Sequence, residues 1–295
     1  MKLFLAGAND KNWCEVLYLS NHSNFLTTYY EHQKGFKEDW IYWYKKTSKR
    51  GASWIMDSGL FTMMFGAGSG KDYSEKDLLE YTHKYLSDLK KINYNHYIVE
   101  MDVHKVLGLT ALKKFRKIFE KEWPLEKTIY VWHVEEKEEG FRKLCEKYPY
   151  IAISIPELRI VLKGRRRLKN AVKHLIKVAN QINPNIKIHL LGCTQQNLME
   201  QKGYYSCDST SWLSSGKYGN GYFFNGKELK QLRTSSKTWI DYALDKKSLI
   251  FKFREKVNMT TYYLNNCLSA IAYSKLNEYI NNKYYNYELI KKMNK

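Results

Sequence analysis

The chain has 295 residues, 44% of them apolar, and carries 49 Lys and Arg against 30 Asp and Glu, a formal charge of +19. That length suits one large barrel or two ordinary domains. The mean hydropathy of −0.58, with no apolar run near the roughly 20 residues that cross a bilayer, argues against a membrane protein. The basic balance points to an anionic partner, most often nucleic acid, unless the Lys-, Asn- and Tyr-rich composition only mirrors an AT-rich coding sequence.

In chain order, Lys2–Gly7 reads as a strand, because its apolar stretch is too short for a signal peptide. Residues 12–44 are aromatic-rich and read as largely helical. Residues 52–57 (ASWIMD) form a strand. Ser74 with Asp77 three residues on makes an approximate capping box for a helix to about Lys91. Strands follow at 97–102 (YIVEMD), 128–134 (TIYVWHV), 150–154, 186–192 (IKIHLLG) and 204–208 (YYSCD). The helices between them are expected at 110–122, 137–147, 165–182 and 195–201. Seven strands alternating with helices predict an α/β fold, a TIM-like (β/α)8 barrel. An open doubly wound sheet is the rival, weakened by the absence of G-x-G-x-x-G after the first strand. From about Trp212 a Gly-rich stretch (214–226) leads into a basic, mainly helical C-terminal region. The expected division is 1–225 for the barrel and 226–295 for that region, packed on it, with a polar tail that frays.

The five cysteines (Cys14, Cys145, Cys193, Cys207, Cys267) are odd in number and widely spaced, without C-x-x-C. This predicts neither a disulfide framework nor a Cys-rich zinc site, and a cytoplasmic protein. His96, His104, His133, His174 and His189 form no H-E-x-x-H, so no metal is expected from spacing.

Three predicted strands end at or near an aspartate: Asp57 in WIMDSG, Asp102 in IVEMDV and Asp208 in YSCDST. Each alone suits a helix cap or loop anchor. In a barrel, however, strand C-termini converge on one face, where clustered carboxylates can divide the roles of nucleophile, acid/base and base-edge partner. The loop FGAGSGKD (65–72) fails as a Walker A, with Phe65 in place of its first glycine and Asp72 after Lys71. It reads as a mobile loop over the active face. The helix 165–182 places Leu168, Val172, Leu175, Ile176 and Ala179 on an apolar stripe. Arg165, Arg166, Arg167, Lys169 and Lys173 are left to contact a phosphate backbone or merely to solvate a helix face.

MDSGLF (56–61) resembles the D-S-G-G-F/Y motif of tRNA-guanine transglycosylases. HLLGCT (189–194) followed by YSCDSTSW (205–212) resembles their L-M-G-V-G segment and F-D-C-V motif. The likeness is greatest to the short phage and bacterial relatives thought to act on DNA, whose motifs read D-S-G-A-F and V-D-S-T-S-W. It spans about residues 2–215. The resemblance implies a TIM barrel in which Asp208 attacks C1′ of the nucleotide and Asp57 handles protons. It implies that Ser58 and Phe61 line the base site, with Phe61 stacking on the base, and that Asp102 reads the base edge. Leu191, Gly192 and, on a looser match, His133 then touch the base. No cofactor is implied, since the zinc site of the tRNA enzymes is missing. A family Gly-Gly pair is replaced by Ser154-Ile155-Pro156, and proline has no N–H to offer a guanine-like base.

Three functions remain open. One is exchange of a base in DNA, preferred over tRNA, for a free 7-deazaguanine-type base. The second is excision of a foreign or modified base to leave an abasic site. The third is a non-catalytic nucleic-acid-binding barrel. Oligomeric state is not legible in the sequence.

Overall fold

The computed structural model describes residues 1–65, 73–193, 195–245 and 261–285. The loop expected over the active face (66–72) and the tail beyond Tyr285 lie outside the described residues. Eight parallel strands close into a barrel in chain order: β1 (Lys2–Ala6), β2 (Asn24–Thr28), β3 (Ser53–Asp57), β4 (Tyr97–Val99), β5 (Thr128–Trp132), β6 (Tyr150–Ser154), β7 (Lys187–Leu191) and β8 (Ser206–Ser209). Closure comes from β8 pairing back onto β1, from Lys2 opposite Ser206 to Leu5 opposite Ser209. Helices cover the outside, which places this chain among α/β TIM-like barrels, with a C-terminal helical extension.

Strand periodicity divides the core in two. Phe4, Ala6, Leu26, Ile55, Val99, Ile129, Val131, Tyr150 and Ala152 fill the barrel interior. Alternate residues such as Leu3, Leu5, Phe25, Trp54, Met56, Ile98, Tyr130, Ile151, Ile153, Ile188 and Leu190 pack outward against helices. Because side chains alternate every residue, Asp57 shares the face of Ile55, and Asp208 that of Ser206. Both aspartates therefore turn toward the barrel axis at the strands' C-terminal ends.

The expectation of helix across 12–44 fails. A helix spans Lys11–Leu19, β2 follows, a 3-10 turn covers Tyr29–His32, and a second helix spans Glu38–Ser48. The strand NFLTT is almost wholly buried, so it lacks the alternation that marks a half-exposed strand. It is the strand that brings the sequence's seven to eight. β4 is shorter than expected and ends at Val99, so Glu100–Asp102 continue beyond the ladder. An unforeseen helix, Ile155–Leu162, follows β6 directly, with Pro156 in its first turn and Ser154 accepting from the Glu157 amide. The helix Glu75–Lys91 carries the expected Ser74–Asp77 capping box. Arg165–Ile182 matches expectation, with its five predicted apolar residues all buried.

Past the barrel come a hairpin, β9 (Asn220–Phe224) and β10 (Leu229–Arg233), and the helices Lys237–Asp245 and Thr261–Ile280. The helix Thr261–Ile280 and the turn after it are tied to the barrel's N-terminal end: the Ser274 hydroxyl lies 2.9 Å from His22 Nδ1, and the Met1 ammonium donates to Asn281 Oδ1. Among the described residues, no helix is long and apolar enough to cross a membrane.

Candidate active site

Asp57 is the last residue of β3, and the chain must turn sharply behind it. Gly59 makes that turn at φ 76°, and its N–H donates to Asp57 Oδ1 at 2.7 Å. A Cβ on Gly59 would lie 2.5 Å from Tyr30 Cβ and 3.0 Å from its backbone nitrogen, so only glycine fits. Asp208 sits in β8, 7% exposed. The Gly192 N–H donates to its Oδ1 at 2.6 Å, and His189 Nε2 lies 3.1 Å from the same oxygen. Gly192 needs its positive φ of 63°, and a Cβ there would press on Pro156 at 3.0 Å.

Asp102 and Asp208 both act on Asp57. Burial pushes the Asp57 carboxyl up to about 7, helped by the nearby charges of Asp102 and then Asp208 and opposed by the Gly59 N–H. Burial also raises Asp102, against the pull of His133 and His104. A cleft of low polarity with like charges is the environment that leaves one carboxyl protonated near neutrality.

Behind Asp208 runs a buried chain that sequence reasoning missed. Tyr150 OH is 2.6 Å from Ser206 Oγ, which is 2.7 Å from His189 Nδ1, and Nε2 of the same ring meets Asp208. With Nε2–H donating to the carboxylate, Nδ1 accepts from Ser206 and every group in the chain is satisfied. The signal was available: Lys187, His189 and Leu191 alternate along β7, which puts the imidazole on the interior face shared with Asp208.

The remaining residues of the expected base site fall around this mouth. Ser58 is buried, and its carbonyl accepts from the Tyr81 hydroxyl at 2.7 Å. Phe61 stands in the short helix Leu60–Phe65 just after β3, 75% exposed. Leu191 closes β7 beside Gly192. His133, directly after β5, is buried and lies 3.2 Å from Glu157 Oε1, so its ring is held in a cluster with His104 and Glu157.

Arg165, Arg166, Arg167, Lys169 and Lys173 are all exposed on the outer helix. That helix begins on the side where strands end, so its first turn lies toward the mouth. Arg165, Gln195, Gln196, Lys227 and Lys283 line a cleft of about 550 Å³, with none of the three aspartates in its wall. The Trp of the S-T-S-W segment has a structural job: Trp212 is fully buried and donates from Nε1 to the Ala6 carbonyl, pinning the helix after β8 over β1.

No protein-family model and no curated protein matches this chain. Fold and mouth together define a TIM-barrel enzyme architecture with a buried His/His/Glu cluster able to hold a ligand.

Proposed function

We propose that this chain cleaves the N-glycosidic bond of a nucleotide flipped out of nucleic acid, with DNA preferred over tRNA. The observation that carries the reading is the group of three aspartates at one barrel face, with Asp57 pushed up to about 7 by burial and by its two neighbours. Breaking the bond develops positive charge on the sugar and negative charge on the base. Asp208, whose two contacts both fall on Oδ1, offers Oδ2 to C1′ as nucleophile or cation stabiliser. Protonated Asp57 delivers a proton to the leaving base. Asp102 holds the base edge, Ser58, His133, Leu191 and Gly192 border it, and Phe61 stacks on it. Arg165, Arg166, Arg167, Lys169 and Lys173 hold phosphates. The sequence resemblance to transglycosylases supports this assignment, and the barrel fold agrees with it.

After cleavage, the proton relationship is reversed. In exchange, an incoming 7-deazaguanine-type base loses a proton to Asp57 and attacks the sugar. In excision, water does so and leaves an abasic site. By the resemblance, Ser154-Ile155-Pro156 stands where the family has its glycine pair, and Pro156, which packs against Gly192 and has no N–H, favours a base other than plain guanine. A duplex base cannot reach a barrel mouth without extrusion, and a modified, weakly paired base costs less to extrude. The test is an oligonucleotide panel of unmodified DNA, DNA with modified bases and tRNA, with and without a free 7-deazaguanine, read by mass spectrometry. Release of a modified base without replacement is the excision outcome, and incorporation is the exchange outcome. Activity confined to tRNA overturns the DNA assignment.

A further inference from the structure

We infer that His104, His133 and Glu157 form a site for one divalent transition-metal ion of the zinc class, next to Asp102. The three residues stand just past the ends of β4, β5 and β6, so the barrel, not the sequence spacing, assembles them. One donor atom from each lies within 4.8 Å of the others.

The backbone sets the tautomer of His104. Its Nδ1 is 3.2 Å from the backbone oxygen of Asp102. A carbonyl only accepts, so Nδ1 holds the proton, and the neutral ring carries a bare lone pair on Nε2. That Nε2 is 3.2 Å from Glu157 Oε1, yet it has no hydrogen-bond partner, in a side chain only 3% exposed. A lone pair facing a carboxylate inside a protein is repulsive unless a cation, or a second proton on the ring, lies between them. His133, fully buried, brings Nδ1 to 3.2 Å from the same oxygen. Zinc bonds of about 2.0–2.2 Å in a tetrahedron set donor–donor edges at about 3.3–3.6 Å, close to both separations. A backbone carbonyl fixing the far nitrogen of a metal-bound histidine is the usual outer support of such a site.

Two nitrogens and one carboxylate oxygen suit zinc, iron(II), nickel(II) or cobalt(II) better than magnesium or calcium. Three protein donors leave a position for water or a substrate oxygen. The imidazole rings are stacked at 3.4 Å with planes 22° apart, so loading must splay them. The competing account is a second proton on His104, which would make the pair an imidazolium–carboxylate contact with no ion.

The experiment strips the protein with a chelator, adds Co2+ or Zn2+ alone, and measures metal content after desalting, the visible Co2+ spectrum and the melting temperature. The site predicts about one ion per chain, tetrahedral or five-coordinate Co2+ bands and a higher melting temperature with Zn2+. Glu157→Gln and His104→Gln are each expected to weaken binding at least about 100-fold, since losing even outer-shell partners costs 10–100-fold. Unmodified protein that gives no Co2+ bands and retains no ion overturns the inference, whether or not either variant folds. So does wild-type affinity in both variants. The inference does not rest on the glycosidic reading, because base release plays no part in these measurements.

Discussion

At Asp57 the fold accepts a cost that activity can use. A carboxyl at about 7 in the folded chain, against roughly 3.9 unfolded, binds its proton more tightly when folded. Its contribution is therefore fully present below the unfolded value. It is lost as pH rises from about 4 to 7, and stays lost above. Asp57→Asn mimics the protonated form, so it should melt at least about 2 °C higher than wild type at pH 8, with a clearly smaller difference at pH 5. Scanning calorimetry at the two pH values checks this; equal differences at both would show that Asp57 does not titrate there. In turnover, loss of the general acid should make kcat/KM for base release fall above pH 7. His189 belongs to the same scale. His189→Leu leaves Asp208 and Ser206 without their shared partner, and base release should drop at least about tenfold, while His189→Gln, which keeps a donor, should lose less. An unchanged rate in His189→Leu would separate the imidazole from the chemistry.

Among the elements, β4, β5 and the helix His104–Glu122 are locked by one buried arginine. Arg116 Nε donates to both oxygens of Glu100 at 3.1 Å, its terminal nitrogens reach Glu136 at 2.7 and 3.1 Å, and one of them reaches the Val131 carbonyl. Glu100 is fully buried and also accepts from the Val131 N–H. Arg116→Met would strand two carboxylates without a counter-charge, and urea unfolding should show a loss of about 3–5 kcal/mol. A loss under 1 kcal/mol would mean the carboxylates simply take up protons. None of this network was legible in the sequence, since Glu100, Arg116 and Glu136 sit on three separate elements. The elements themselves were legible where apolar period and caps agreed, as in Glu75–Lys91 and Arg165–Ile182. They were missed where burial removed the period, as in β2, or where an apolar run followed a strand without a break, as in Ile155–Leu162. Asp57 and Asp208 stood out because strand ends can be read locally, whereas Asp102 stands three residues past the end of β4. His189 and the His104–His133–Glu157 cluster could be found only once the barrel had brought distant strands together.

Taken whole, the molecule is a +19 chain whose acidic mouth opens beside an exposed basic helix. If Arg165, Arg166 and Arg167 hold phosphates, changing all three to Ala should reduce the slope of log affinity against log salt by up to about 3, equally for every sequence tested. An unchanged slope would place the backbone contacts elsewhere. Whether carboxylates at this mouth break a glycosidic bond is read from the rate of free-base release, by mass spectrometry, for wild type, Asp57→Asn and Asp208→Asn, each shown to be folded. Wild type should release the base and both variants should lose at least about 10²-fold; near wild-type release by both would mean that these carboxylates do not break the bond.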